Sequence, residues 1–233
     1  MTPGEWVTGL SYLVGAGVFV WAAKRRGLAT DGIGIVAAVG FATGIVGAKV
    51  TQAIASHVPL MDSLNPQNGG RALLGGVVFG WLGVEIAKWR MGIRRSTGDL
   101  FALALPAGEA IGRIGCHLNG CCYGARCDAP WAIWQHGAYR YPAQLISAGV
   151  AGLTFVAMVW LAPRLVREGD FFRVYLVVFG VTRFGLEFIR WRESLVAGLS
   201  PMQWFCLDLM AIGTWGLWRS SRKAVVVAAE VVG

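Results

Sequence analysis

Two acid–base pairs share one spacing in this chain. Glu109 and Arg113 stand four residues apart in "EAIGR", and Arg183 and Glu187 stand four apart in "RFGLE". On a helix that spacing puts both side chains on one face. Each pair could be structural, a charge that neutralises itself inside a bundle. Yet a guanidinium grips phosphate through two parallel hydrogen bonds and never loses its charge. Arg190 lies two turns beyond Arg183, so Arg113, Arg183 and Arg190 could converge on an anionic lipid headgroup.

The first pair runs into "GRIGCHLNGCCYG", residues 112–124, which holds three of the five cysteines. Cys116 and Cys121, and Cys122 and Cys127, are separated by four residues. Structural zinc sites usually use C-x2-4-C pairs, and these four-residue gaps lie at the long end of that range, so no metal site is expected. Unpaired packing residues and one disulfide among Cys116, Cys121, Cys122 and Cys127 both remain open, and Cys206 reads as packing. His117 either packs at a helix end or serves as a neutral base, because its unperturbed pKa lies near neutrality and neighbouring arginines favour loss of its proton. His57 and His136, in predicted loops, carry weaker signals. Asn119-Gly120 and Asn68-Gly69-Gly70 mark turns or close backbone approach.

The elements that must position these residues read as membrane helices. Of the 233 residues 55% are hydrophobic and only 15% charged, with a mean hydropathy of +0.55; soluble domains carry about 25% charged residues. Seven apolar segments approach the roughly 20 residues needed to cross a bilayer: 6–23, 33–56, 69–86, 100–116, 143–161, 171–189 and 201–217. The fourth contains Pro106 and is expected to kink or unwind early. The fold class is therefore an all-α integral membrane protein of about seven transmembrane helices, in one polytopic domain spanning 1–233. No cleavable signal peptide is expected, because "MTPGEW" lacks a basic lead.

The net charge of +8 does not point to nucleic acid once its charges are placed. Lys24, Arg25, Arg26, Lys88, Arg90, Arg94, Arg95, Arg164, Arg167, Arg173, Arg219, Arg222 and Lys223 all fall on one predicted side. Those thirteen of 21 basic residues put the N-terminus outside and the C-terminus inside. Lys49, Arg71, Arg113, Arg126, Arg140, Arg183, Arg190 and Arg192 lie on the outer side or within an apolar span. Intramembrane charges such as Lys49, Arg113 and Arg183 cost several kcal/mol unless paired or functional, on the order of the insertion scales. No internal repeat supports an inverted-repeat transporter.

At these residues the chain resembles the bacterial prolipoprotein diacylglyceryl transferases. "AIGRIGCHLNGCCYG" is similar to their signature. "GIVGAKV", "GGRALLGGVVFGWLGVEIAKWRMGI", "RYPAQL", "VFGVTRFGLEFIR" and "GLSPMQW" resemble further family segments in the same order. The resemblance implies a seven-span enzyme of the bacterial cytoplasmic (inner) membrane with its site toward the outer face. Its reaction would move the diacylglyceryl group of phosphatidylglycerol to a lipobox cysteine thiol of an exported preprolipoprotein, releasing glycerol 1-phosphate. It implies no cofactor. By motif position Arg113, Asn119, Gly120, Gly124, Arg183, Glu187 and Arg190 match. Arg113 and Arg183 would bind phosphate, Glu187 would orient Arg183, and Asn119 would order the headgroup pocket.

The chain also departs from that pattern. Leu74 stands where many members carry a histidine in the third helix, Thr8 where a tyrosine is common, and Lys49 where an arginine occurs. The sizeable outer arm and head elements of many members are missing. Three readings follow. The usual transfer could run with His117 or Glu109 as base. A paralogue could keep the phospholipid donor and use another periplasmic acceptor, such as a different thiol, a glycan hydroxyl or water. An inert lipid-binding or lipid-moving protein is the third, and the retained intramembrane charges argue against it.

Overall fold

A computed structural model describes residues 2–28, 31–57, 59, 73–164, 167–191 and 195–232. The predicted turn at 68–70, Arg71, Arg192 and the first residues of the third predicted span lie outside them. The order is α1 (Pro3–Arg25), α2 (Asp31–Ser56), α3 (Leu73–Arg90), α4 (Gly98–Leu118), β1 (Ile133–Gln135), β2 (Ala138–Arg140), α5 (Ala143–Leu161), α6 (Asp170–Leu186) and α7 (Pro201–Val232), with a 3-10 turn, Glu187–Ile189, continuing α6. The chain is thus mostly helical, and each of the seven described α-helices covers one of the apolar segments.

Pro3–Arg25, Gly32–Ile54 and Ala143–Leu161 are long and apolar enough to cross a membrane. Large apolar side chains stand exposed along the helices: Leu13, Leu153, Val156, Val181 and Ile212 are each more than half accessible. Apolar flanks outside and polar groups inside are what a lipid solvent selects. This is an all-α membrane protein.

Local signals set the helix ends. At α1, Thr2 and Glu5 form a reciprocal capping box: Glu5 N–H donates to Thr2 Oγ1 at 3.2 Å and Thr2 N–H to Glu5 Oε2 at 2.7 Å. Pro3 follows at the first helical position, where its missing N–H costs nothing. Ser200 and Gln203 repeat the device at α7. Three helices end alike. Gly27, Gly92 and Gly120 adopt positive φ, and the next residue's N–H reaches back five residues, as in Leu28 to Ala23, Ile93 to Lys88 and Cys121 to Cys116. That is the Schellman stop. Against expectation, α4 does not unwind early: it continues past buried Pro106 to Leu118.

The chain divides into two compact units, 20–95 and 1–19 with 96–233. In the first, α2 packs on α3 through glycines. A Cβ on Gly44 would lie 3.2 Å from the Gly76 carbonyl, and one on Gly80 3.1 Å from that of Gly40. Small residues let backbones approach where lipid supplies no hydrophobic drive.

In the second, α4 is the hub. Its small residues meet α1: a Cβ on Gly108 would lie 3.2 Å from the Ser11 carbonyl, and one on Gly115 3.0 Å from that of Gly4. α5 and α6 also pack on α4, and α7 packs on α6. Buried Asp99 of α4 accepts from Gly169 N–H at 3.0 Å and Phe172 N–H at 2.9 Å, placing a carboxylate on the N-terminus of α6. Ser220 of α7 donates to Asp170 Oδ2 at 3.0 Å.

Candidate active site

The functional side chains gather in the second unit, where α4 and α6 end. Glu109 and Arg113 lie one turn apart on α4. Arg113 donates to Glu109 Oε1 from Nε at 3.1 Å and from Nη2 at 2.9 Å. One carboxylate oxygen thus takes two nitrogens of one guanidinium.

Arg183 and Glu187 pair in the reverse order at the end of α6. Arg183 Nη2 lies 2.9 Å from Glu187 Oε2, and both side chains are at least 90% buried. The 3-10 turn swings Glu187 so that Oε2 also faces Arg190 Nε at 3.8 Å, while Oε1 accepts from Ser200 Oγ at 3.3 Å. Arg183 Nε and Nη1 are buried with no hydrogen-bond partner among the described residues. A guanidinium offers five donors, and buried donors almost always find acceptors. A cavity lined by Arg183, Glu109, Pro106, Ser147, Thr182 and Tyr175 opens beside it.

The expected residues around this centre separate into groups. Arg190 is extended and its backbone bridges Gly124. Gly124 is required by close approach, because a Cβ there would lie 2.3 Å from the Tyr141 carbonyl and 3.0 Å from that of Ile189. Gly120 supplies the left-handed stop of α4, φ 65°. Asn119 faces the start of α1, where its Oδ1 accepts from Thr2 Oγ1 at 2.9 Å. Thr8 packs on Gly115 one helix away and returns its hydroxyl to the Gly4 carbonyl at 2.8 Å. Lys49 is buried on α2, in the other unit. Leu74 lies in the first turn of α3.

His117 sits on a polar relay absent from the sequence reading. Buried Gln144 donates from Nε2 to the Cys121 carbonyl at 2.9 Å and to Gln135 Oε1 at 3.1 Å. Those acceptors fix both amides, so Gln135 Nε2 points at His117 Nδ1, 3.3 Å away, as the donor. The neutral ring then carries its proton on Nε2. Gln135 belongs to the hairpin, where His136 and Gly137, at φ 49° and 71°, make a two-residue turn of positive φ. His136 Nε2 contacts the Gly120 carbonyl at 2.6 Å.

Arg140 holds this region together. Its buried guanidinium donates to the Gln135 carbonyl at 3.0 Å and the Gly124 carbonyl at 3.2 Å, and it lies over the Tyr123 and Trp191 rings. Sequence reasoning counted Arg140 only as an outer charge. The flanking aromatics Tyr123, Tyr139 and Tyr141 were the available hint.

All five cysteines are unbridged. The Cys116, Cys121 and Cys122 sulfurs lie within 4.8 Å of one another. Hydrogen bonds from Cys116 and Cys121, with the charges of Arg190 and Arg113, hold the Cys122 thiol below its ordinary range. Shared hydrogen bonds with Cys116 and Cys122, and burial, push the Cys121 thiol up.

The prolipoprotein diacylglyceryl transferase family model matches residues 7–219. The chain is 31% identical to the phosphatidylglycerol–prolipoprotein diacylglyceryl transferase of Methylibium petroleiphilum, over 90% of this chain and 89% of that protein. It is 30% identical to the enzyme of that name from Cupriavidus pinatubonensis, over 92% and 88%. A relative of the same name from an Azoarcus species is 38% identical over 60% of this chain and 59% of its own length. The chain spans about three fifths of the length of that relative and of the Aromatoleum aromaticum one. A match over nearly the whole chain, carrying the paired acids and arginines that meet in the structure, makes this protein a member of the prolipoprotein diacylglyceryl transferase family.

Proposed function

We propose that this protein transfers the diacylglyceryl group of phosphatidylglycerol to the thiol of a lipobox cysteine in an exported preprolipoprotein. The setting is the bacterial cytoplasmic membrane, crossed seven times, with the N-terminus and the site toward the outer face. The observation that carries the reading is Arg183, a buried guanidinium with Nε and Nη1 unsatisfied beside a cavity. A phosphate oxygen is an acceptor suited to either donor.

The roles follow from the chemistry. The acceptor thiolate attacks the glyceryl carbon that bears the phosphate. A C–S bond forms, the C–O bond breaks, and glycerol 1-phosphate leaves with the bonding pair. Negative charge grows on the departing phosphate oxygens, where Arg183 and Arg113 stabilise it. Glu187 orients Arg183 and Arg190, and Ser200 fixes Glu187. The thiol proton goes to His117 or Glu109. His117 accepts it at Nδ1 only by giving up the Gln135 contact, and Glu109 only by loosening Arg113. Asn119, Gly120 and Gly124 shape the rim.

The substitution at Leu74 favours keeping a second acceptor class in view. The test supplies labelled phosphatidylglycerol to the purified protein with and without a lipobox peptide. Glycerol phosphate release that requires the peptide, with lipid appearing on its cysteine, supports the reading. Equal release without peptide points to another acceptor or to water. No release in either arm overturns it.

A further inference from the structure

We propose that Cys116, Cys121 and Cys122 form a binding site for one thiophilic d10 metal cation, zinc(II) or copper(I). Metal–thiolate bonds of about 2.3 Å place sulfurs around one ion about 3.8 Å apart. The three sulfurs already lie within 4.8 Å of one another, so small side-chain rotations close the remaining gap. The set is all sulfur, which selects soft cations over magnesium or calcium.

The spacing is awkward because Cys116 and Cys121 form the longest usual pair, C-x4-C, and Cys122 follows Cys121 directly. The backbone overcomes this in two steps. Gly120 turns left-handed at φ 65° and folds Cys121 back, so that its N–H donates to the Cys116 carbonyl at 3.1 Å. Cys122 then also adopts a left-handed φ of 58°, a conformation that side chains other than glycine, asparagine and aspartate rarely take. Without that second turn the adjacent thiols of Cys121 and Cys122 would diverge. Gln144 anchors the Cys121 carbonyl at 2.9 Å, giving the loop the outer support that metal ligands use. Three thiolates balance a divalent ion to a net negative unit, which Arg113 and Arg190 flank. Three protein ligands also leave zinc a fourth position open, as catalytic zinc sites do.

The experiment uses the full-length protein in detergent. Its thiols are reduced, the reductant is removed, and it is dialysed against zinc chloride or, separately, titrated with cobalt(II) or copper(I). One tightly held zinc or copper ion per chain is expected by elemental analysis, with thiolate-to-cobalt charge-transfer absorption. Cys121→Ser and Cys122→Ser, whose thermal unfolding is followed in parallel, should each lose the ion and the absorption. Cys127→Ser and Cys206→Ser should keep both. Failure of the wild type to hold either ion at stoichiometry would overturn the proposal. So would retention of the ion in the Cys121→Ser, Cys122→Ser double variant. A disulfide mapped within the trio in protein isolated without reductant would also overturn it. Metal content is read without substrate, so this site and the transfer reaction fail separately.

Discussion

The two acid–base pairs share their spacing and differ in what they leave over. On α4, Glu109 precedes Arg113, and one carboxylate oxygen takes two guanidinium nitrogens. On α6, Arg183 precedes Glu187, and the acid lies where the helix tightens into a 3-10 turn. There its carboxylate is shared by Arg183, Arg190 and Ser200. The first pair is nearly closed on itself. The second is buried more deeply, and Arg183 Nε and Nη1 and Glu187 Oε2 all lack a hydrogen-bond partner among the described residues. An arginine held by a divided carboxylate is fixed in place without being consumed, which is what a phosphate site requires. Equal spacing in sequence therefore conceals unequal chemistry.

This contrast orders the expected effects. Arg183→Ala should reduce glycerol phosphate release by about 10²–10³-fold, the usual cost of removing a donor aimed at developing charge, in a protein that still folds but unfolds at a lower temperature because Glu187 loses its nearest counter-charge. Full activity in that variant would remove the phosphate assignment from α6. Arg113→Ala should cost about tenfold to 10²-fold, less than Arg183→Ala, because much of its hydrogen-bonding capacity is already spent on Glu109. A loss greater than that of Arg183→Ala would reverse the comparison and make α4 the principal anion site. His117→Ala should reduce transfer by about tenfold, less than the roughly 10²–10⁴-fold of a sole general base because Glu109 can share the role, while His57→Ala and His136→Ala leave it unchanged. Near-native activity in all three would transfer the proton to Glu109.

What was legible in the sequence was local. The length of apolar runs located the seven segments, and the four-residue spacing gave both acid–base pairs, because these depend on neighbouring residues alone. What was not legible depends on partners far along the chain. Asp99 meets the start of α6 about seventy residues later, and nothing in "TGDL" announces it. The Gln144–Gln135–His117 relay requires the hairpin to place Gln135, and that hairpin turns on His136-Gly137, a weak signal between short runs. The convergence of the cysteine trio escaped because adjacent side chains ordinarily diverge, and the left-handed backbone of Cys122 is not written in its residue type. Asn119 matched the motif but proved to face α1.

That last contact bears on the order in which the molecule is completed. Thr2 belongs to the cap of the first helix, yet its hydroxyl waits for an acceptor 117 residues downstream. Gly4 likewise presents a face that fits only against Asn119 and Gly115. The opening turn of α1 is therefore synthesised well before its partner. A ribosome must add a further 117 residues before the Thr2 hydroxyl can meet Asn119. The contacts of α1 with the glycines of α4 and with Asn119 all wait for that later helix.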